Sequence, residues 1–157
     1  MKYVFDTNVL SVIFKYYYIS SHHSFWIKFN DLKNKKDLIS VREVKKEIEE
    51  FRSGDNLEEW VSKNTDFFEI PTAAELSFIT KIYRISHFQQ NMEKKKRLKG
   101  GAFADPFIIA KAKINNAIIV TQEKYKENSA KIPNICKEFN IKYVDLEGFL
   151  NLEKLQF

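Results

Sequence analysis

The chain has 157 residues, with 26 Lys and Arg against 21 Asp and Glu for a net charge of +5, and a single cysteine. That length suits one domain, 1–157, whose core needs no disulfide or structural zinc. The lone Cys136 excludes an internal disulfide framework and fits a reducing, cytoplasmic setting. No apolar run approaches the ~18 residues of a membrane span, and Asp6 cuts the first one short, so neither a membrane anchor nor a signal peptide is expected.

In chain order, the runs 2–5, 37–40, 67–70, 117–121 and 142–146 are short and rich in Val, Ile, Phe and Tyr, as buried parallel strands are. Helical spacing fills the gaps. Segment 7–18 is apolar and ends in three tyrosines, Tyr16 to Tyr18, expected to pack rather than to stack bases. Segment 24–33 repeats Phe25, Trp26, Phe29 and Leu32. His22 and His23 between them lack a third partner at zinc spacing. Capping boxes, in which a hydroxyl and a Glu three residues on satisfy orphaned amides, are expected at Ser40 with Glu43 and at Thr72 with Glu75. The first opens a helix over 40–51 whose apolar face is Val41, Val44, Ile48 and Phe51. Segment 72–99 reads as a helical arm or hairpin, increasingly charged, that turns back at Gly100 and Gly101. Asp105 before Pro106 has the form of an N-cap and proline at the first helical position, with the helix running to about 115. A last helix spans 133–139. Strands alternating with helices predict an α/β fold, a mostly parallel sheet covered by helices on both faces.

Four acids punctuate this pattern where a strand ends or a helix begins: Asp6, Glu47, Asp105 and Glu123. In an open parallel sheet such positions converge on one crevice at the carboxyl ends of the strands. Like charges held together repel unless a cation compensates them, which points to a hard divalent metal with oxygen ligands. Asp6 caps the next helix by position, yet Asp6-Thr7-Asn8 sets a carboxylate, a hydroxyl and an amide on one turn, as a cation site needs. A dehalogenase-type phosphatase would place a second carboxylate where Asn8 stands. Glu47 borders the apolar face of its helix, whereas Glu49 and Glu50 point away. Glu43 is its spatial neighbour with a capping duty. A basic exterior around an acidic cleft suits a polyanion gripped by its phosphates.

At these residues the sequence resembles the PIN-domain family, which includes VapC-type toxin ribonucleases. The resemblance rests on Val4-Phe5-Asp6-Thr7-Asn8, on the helical Glu47, on Ala104-Asp105-Pro106-Phe107-Ile108-Ile109-Ala110 and on Thr121-Gln122-Glu123, in that order along nearly the whole chain. Glu123 departs from the pattern, since many relatives carry Asp there. The resemblance implies a three-layer α/β/α fold and a Mg²⁺- or Mn²⁺-dependent endoribonuclease. Asp6, Glu47, Asp105 and Glu123 would hold metal, supported by Thr7, Asn8, Thr121 and Glu43. Lys94, Lys95, Lys96, Arg97 and Lys99 would steer RNA phosphates. It further implies a toxin, silenced by an antitoxin protein, that forms a homodimer. The alternatives are a nucleic-acid-binding module that keeps the fold without turnover, an RNA-processing nuclease that is not a toxin, and a phosphatase or DNA nuclease.

Overall fold

A computed structural model describes residues 1–51 and 55–155. The strands are β1 (Tyr3–Phe5), β2 (Leu38–Val41), β3 (Phe68–Glu69), β4 (Ile118–Val120) and β5 (Tyr143–Val144). The helices are α1 (Thr7–Tyr16), α2 (His23–Asn34), α3 (Arg42–Phe51), α4 (Asn56–Lys63), α5 (Ala73–Tyr83), α6 (Ser86–Lys99), α7 (Asp105–Asn115), α8 (Ile132–Phe139) and α9 (Leu146–Leu152). All four strand pairings are parallel, in the order β3-β2-β1-β4-β5. The architecture is a three-layer α/β/α sandwich. The three residues of β1 and the four of β2 are all buried, as expected of strands covered on both faces.

The strand order reverses beside β1: the chain runs outward through β2 and β3, then returns to β4 on the other side. The registers Phe5 opposite Val120 and Val4 opposite Ile39 align the strand ends. Asp6 and Thr121, the residues after β1 and β4, therefore stand side by side at the switch point, where open α/β sheets bind their ligands.

Side chains two apart on a strand share a face. On one face Tyr3 and Phe5 meet Phe149 of α9 edge-on, at ring separations of 4.9 and 5.1 Å, and Phe5 also meets Phe29 of α2. An aromatic layer of Phe14, Phe25, Trp26, Trp60 and Phe67 continues outward from there. Helix α7 lies against β1, β2 and β4 and packs on α5 and α8. Cys136 is buried in α8, a packing residue as its isolation implied. Where α5 meets α7, Lys111 is only 2% exposed and pairs with Glu75 at 2.9 Å and Glu69 at 3.0 Å. Among the described residues, no helix is long and apolar enough to cross a membrane.

Several local expectations are corrected. Ser40 does not cap a helix: it lies in β2 and its hydroxyl donates to the Phe5 carbonyl at 2.7 Å, while Glu43 pairs with Arg42. Thr72 and Glu75 do form the capping box, with both reciprocal bonds at 3.2 Å. Phe51 is half exposed rather than part of the core. The 72–99 segment turns at Arg84 and Ile85, not at the glycines, and Gly100 instead closes α6 in the left-handed conformation, φ +69°. Asp105 is the first residue of α7 and makes no capping bond, the Ala104 carbonyl accepting from the Phe107 and Ile108 amides. Helices α4 and α9 and a 3₁₀ turn at Thr65–Phe67 complete the chain without having been anticipated.

Candidate functional site

The fold brings the four acids to one cleft of about 420 Å³, lined by Asp6, Glu47, Asp105 and Glu123 together with Lys95 and Lys99. Asp6 is 4% exposed, and its carboxylate accepts from the Thr7 amide and the Thr121 hydroxyl, each at 2.7 Å. Thr7 also donates its hydroxyl to Glu47 Oε1 at 2.6 Å, tying α1 to α3. Thr121 Oγ1 accepts from the Glu123 amide at 3.1 Å, and Asn8 braces the same loop by accepting from the Gln122 amide at 3.0 Å. Two threonines thus link three of the acids. Glu123 Oε2 accepts from the Ile132 amide at 2.9 Å, at the first turn of α8, where a helix favours negative charge.

Asp105, Glu123 and Glu47 meet cations from α6. The Lys95 ammonium donates both to Asp105 Oδ2 and to Glu123 Oε1, the latter at 2.8 Å, and stands 5.7 Å from the centre of the Phe103 ring. Two carboxylates sharing one donor nitrogen have their oxygens within about 6 Å of each other. Lys99 pairs with Glu47 Oε2 and lies over Phe51. That oxygen is buried against the Lys99 ammonium, whereas Glu43 Oε2 is buried with no hydrogen-bond partner among the described residues.

Burial first, then the charge of Asp105, pushes the Asp6 carboxyl up to about 7 against the pull of its Thr121 and Thr7 hydrogen bonds. Burial also raises Asp105; Lys95 opposes that shift and Glu123 adds to it. For Lys95, burial works against the charge, but Asp105 and Glu123 outweigh it and hold the ammonium up to about 12. Lys99 is lowered, its burial exceeding the attraction of Asp105, Asp6 and Glu123. Acids pushed up and lysines drawn among them mark a site that demands positive charge.

Of the five basic residues expected to face substrate, Lys95 and Lys99 line the cleft and Lys94, Lys96 and Arg97 do not. A signal for this division was present: Phe88, Met92, Lys95 and Lys99 follow the 4-3-4 spacing of one helix face, and the first two are buried. Glu43 sits one turn before Glu47 and outside the cleft lining, with its Oε1 held by Arg42 at 2.8 Å. Ser11 and Phe51 line the cleft without having been anticipated. A larger cavity of about 610 Å³ lies among Tyr17, Tyr18, Trp26 and Trp60, but its one carboxylate, Glu59, is occupied by Lys63 at 2.7 Å.

Among the described residues, no three acid, cysteine or histidine side chains stand grouped as they would around an ion. The two ammonium groups lie between the carboxylates instead. The donor set still fits a hard divalent cation, because every acidic donor lining the cleft is a carboxylate oxygen. The four carboxylates also exceed the two ammonium groups by two charges. No curated protein and no solved structure matches the chain. A family profile described as a domain of unknown function, DUF4411, matches residues 3–157, and the chain belongs to that family.

Proposed function

We propose that the chain is a Mg²⁺- or Mn²⁺-dependent endoribonuclease of the PIN-like kind, acting as the toxin of a toxin-antitoxin pair in the cytoplasm. The observation that carries this reading is the convergence of four acids, Asp6, Glu47, Asp105 and Glu123, on one cleft at the sheet's switch point. Asp6, Glu47 and Asp105 would hold the ion, with Glu123 at its flank. When bound, such an ion supplies Lewis-acid stabilisation of phosphoryl charge and acidifies water. The chain's own residues do the rest. Thr7 and Thr121 fix the Asp6 and Glu47 carboxylates, Asn8 holds the loop that carries Glu123, and Lys99, once freed from Glu47, would attract a phosphodiester. Unpaired RNA, whose backbone can enter a narrow crevice, is the substrate of this reading, cleaved to leave a 5′-phosphate and a 3′-hydroxyl. An antitoxin protein and a second copy of the chain are the partners this reading carries with it.

The test offers labelled single-stranded RNA, single-stranded DNA and a small phosphomonoester side by side, with Mn²⁺ or a chelator. RNA cleavage that needs metal and disappears in Asp6→Asn and Asp105→Asn is expected. Equal inactivity of wild type and both variants on RNA would overturn it. Growth arrest on expression of the intact protein but not of Asp6→Asn separates a toxin from a housekeeping nuclease. A second reading, a binding module without turnover, is favoured by the pairing of Lys95 and Lys99 with the acids. RNA binding with no metal response in calorimetry would support that module.

A further inference from the structure

The two lysines of the cleft are not equivalent. Lys95 bridges two carboxylates, with a hydrogen bond to each, and its ammonium rests against the buried Phe103 ring. Its helix is anchored directly before it by Phe88 and Met92, which are 6% and 0% exposed. Lys99 touches one carboxylate, that of Glu47, and has no second acid to hold it as Lys95 does. Lys99 is therefore the cation that yields to a competitor, while Lys95 is held on three sides.

We propose, on the reading of the cleft as a metal site, that Lys95 is its built-in second cation. It fixes Asp105 and Glu123 so that the chain loads one divalent ion, beside Asp6, Glu47 and Asp105, as Lys99 releases Glu47. Two-metal nucleases set their ions about 3.5–4 Å apart, bridged by a shared carboxylate. Lys95 makes the equivalent bridge with an ammonium nitrogen, using Asp105 as the shared acid. Charge agrees: with Lys95 in place and Lys99 withdrawn from Glu47, the four carboxylates are three charges short of neutrality. One divalent ion leaves one of these uncompensated, and a second would reverse the sign. Lys95 is on this account a positioning residue, acting through Asp105 and Glu123.

Calorimetric titration of the full chain with Mn²⁺, and the paramagnetic resonance spectrum of the loaded protein, read the number of ions without reference to turnover. Wild type is expected to bind one ion with an isolated six-line spectrum. Lys95→Met binds two, with a spin-coupled spectrum, and Lys95→Arg returns to one. Two ions in wild type, or one in a folded Lys95→Met, would overturn the inference and leave the metal site standing. No binding by wild type would overturn the metal reading itself. Should Lys95→Met fail to fold, Glu123→Gln decides, because a Glu123 that holds lysine rather than metal leaves Mn²⁺ affinity within about threefold. A loss beyond about tenfold makes Glu123 a ligand and sinks the proposal.

Discussion

Replacing Asp6 with Asn should stabilise the protein at neutral and alkaline pH while abolishing its metal response. Folding raises the Asp6 carboxyl from an ordinary 3.8 to about 7, through burial and then the charge of Asp105. Between those values the native state keeps a proton that the unfolded chain has released, so the Asp6 contribution falls as pH climbs from about 4 to about 7. Roughly three pKa units correspond to a ceiling of about 4 kcal/mol above pH 7. Asparagine removes the charge and remains a good cap for the Thr7 amide, but it disturbs the bond from Thr121. A net gain of about 2 kcal/mol at pH 8, or ~4–8 °C in Tm for a chain of this size, is the expected balance. Thermal unfolding of both proteins from pH 4 to pH 8, with and without Mn²⁺, measures it. The gain should vanish at about pH 5.5, and at pH 4 the variant should be the less stable of the two. At pH 8, saturating Mn²⁺ at about a hundred times its Kd should raise wild type alone, by about 2.7 kcal/mol. A variant less stable than wild type at pH 8, or a difference that does not change with pH, would refute the reasoning.

Thr7→Val keeps the shape of the side chain but deletes the 2.6 Å bond to Glu47 Oε1, leaving a 2%-exposed carboxylate short of a donor. A loss of about 1–3 kcal/mol in urea unfolding is expected, partly recovered by Mn²⁺; no change would remove Thr7 from the site's support. Lys111→Met strands Glu75, 1% exposed, and should cost about 3–5 kcal/mol, which Glu75→Gln in the same chain partly restores. A loss under about 1 kcal/mol in the same measurement would show that the pair is not essential to the seam between α5 and α7.

The five strands were legible because strands covered on both faces spell short, nearly unbroken apolar runs, and each observed strand falls within about two residues of its expected bounds. Helices α4 and α9 were not, since eight and seven residues are too few for a helical period to stand out from their charged neighbours. The two capping boxes show what a local pattern lacks. Ser40-Val41-Arg42-Glu43 and Thr72-Ala73-Ala74-Glu75 match the same rule. Thr72 comes after its strand has ended at Glu69, whereas Ser40 is still in β2, with its hydroxyl turned to a neighbouring strand. Asp6, Asp105 and Glu123 could be read in advance because they stand at or just past the ends of elements, whereas Glu47 lies inside α3 rather than at its start and was marked by its place beside the apolar face. Their lysine partners depended on where α6 lies, which no local pattern records.

The position of α6 also explains how such a cleft folds before it meets any ligand. Four buried or half-buried carboxylates without cations would repel strongly in a medium less polar than water. A helix whose inward face begins with Phe88 and Met92 and ends with Lys95 and Lys99 anchors in the core and delivers two ammonium groups to the crevice. The lysines thus stabilise the cleft, and on the proposed metal reading an entering cation would displace part of that arrangement. Its affinity would be lowered by the cost of breaking the Lys99 contact, and the freed ammonium would then be available to a phosphodiester. On that reading, charge compensation in the resting protein and attraction of an anionic substrate would be two positions of the same side chain.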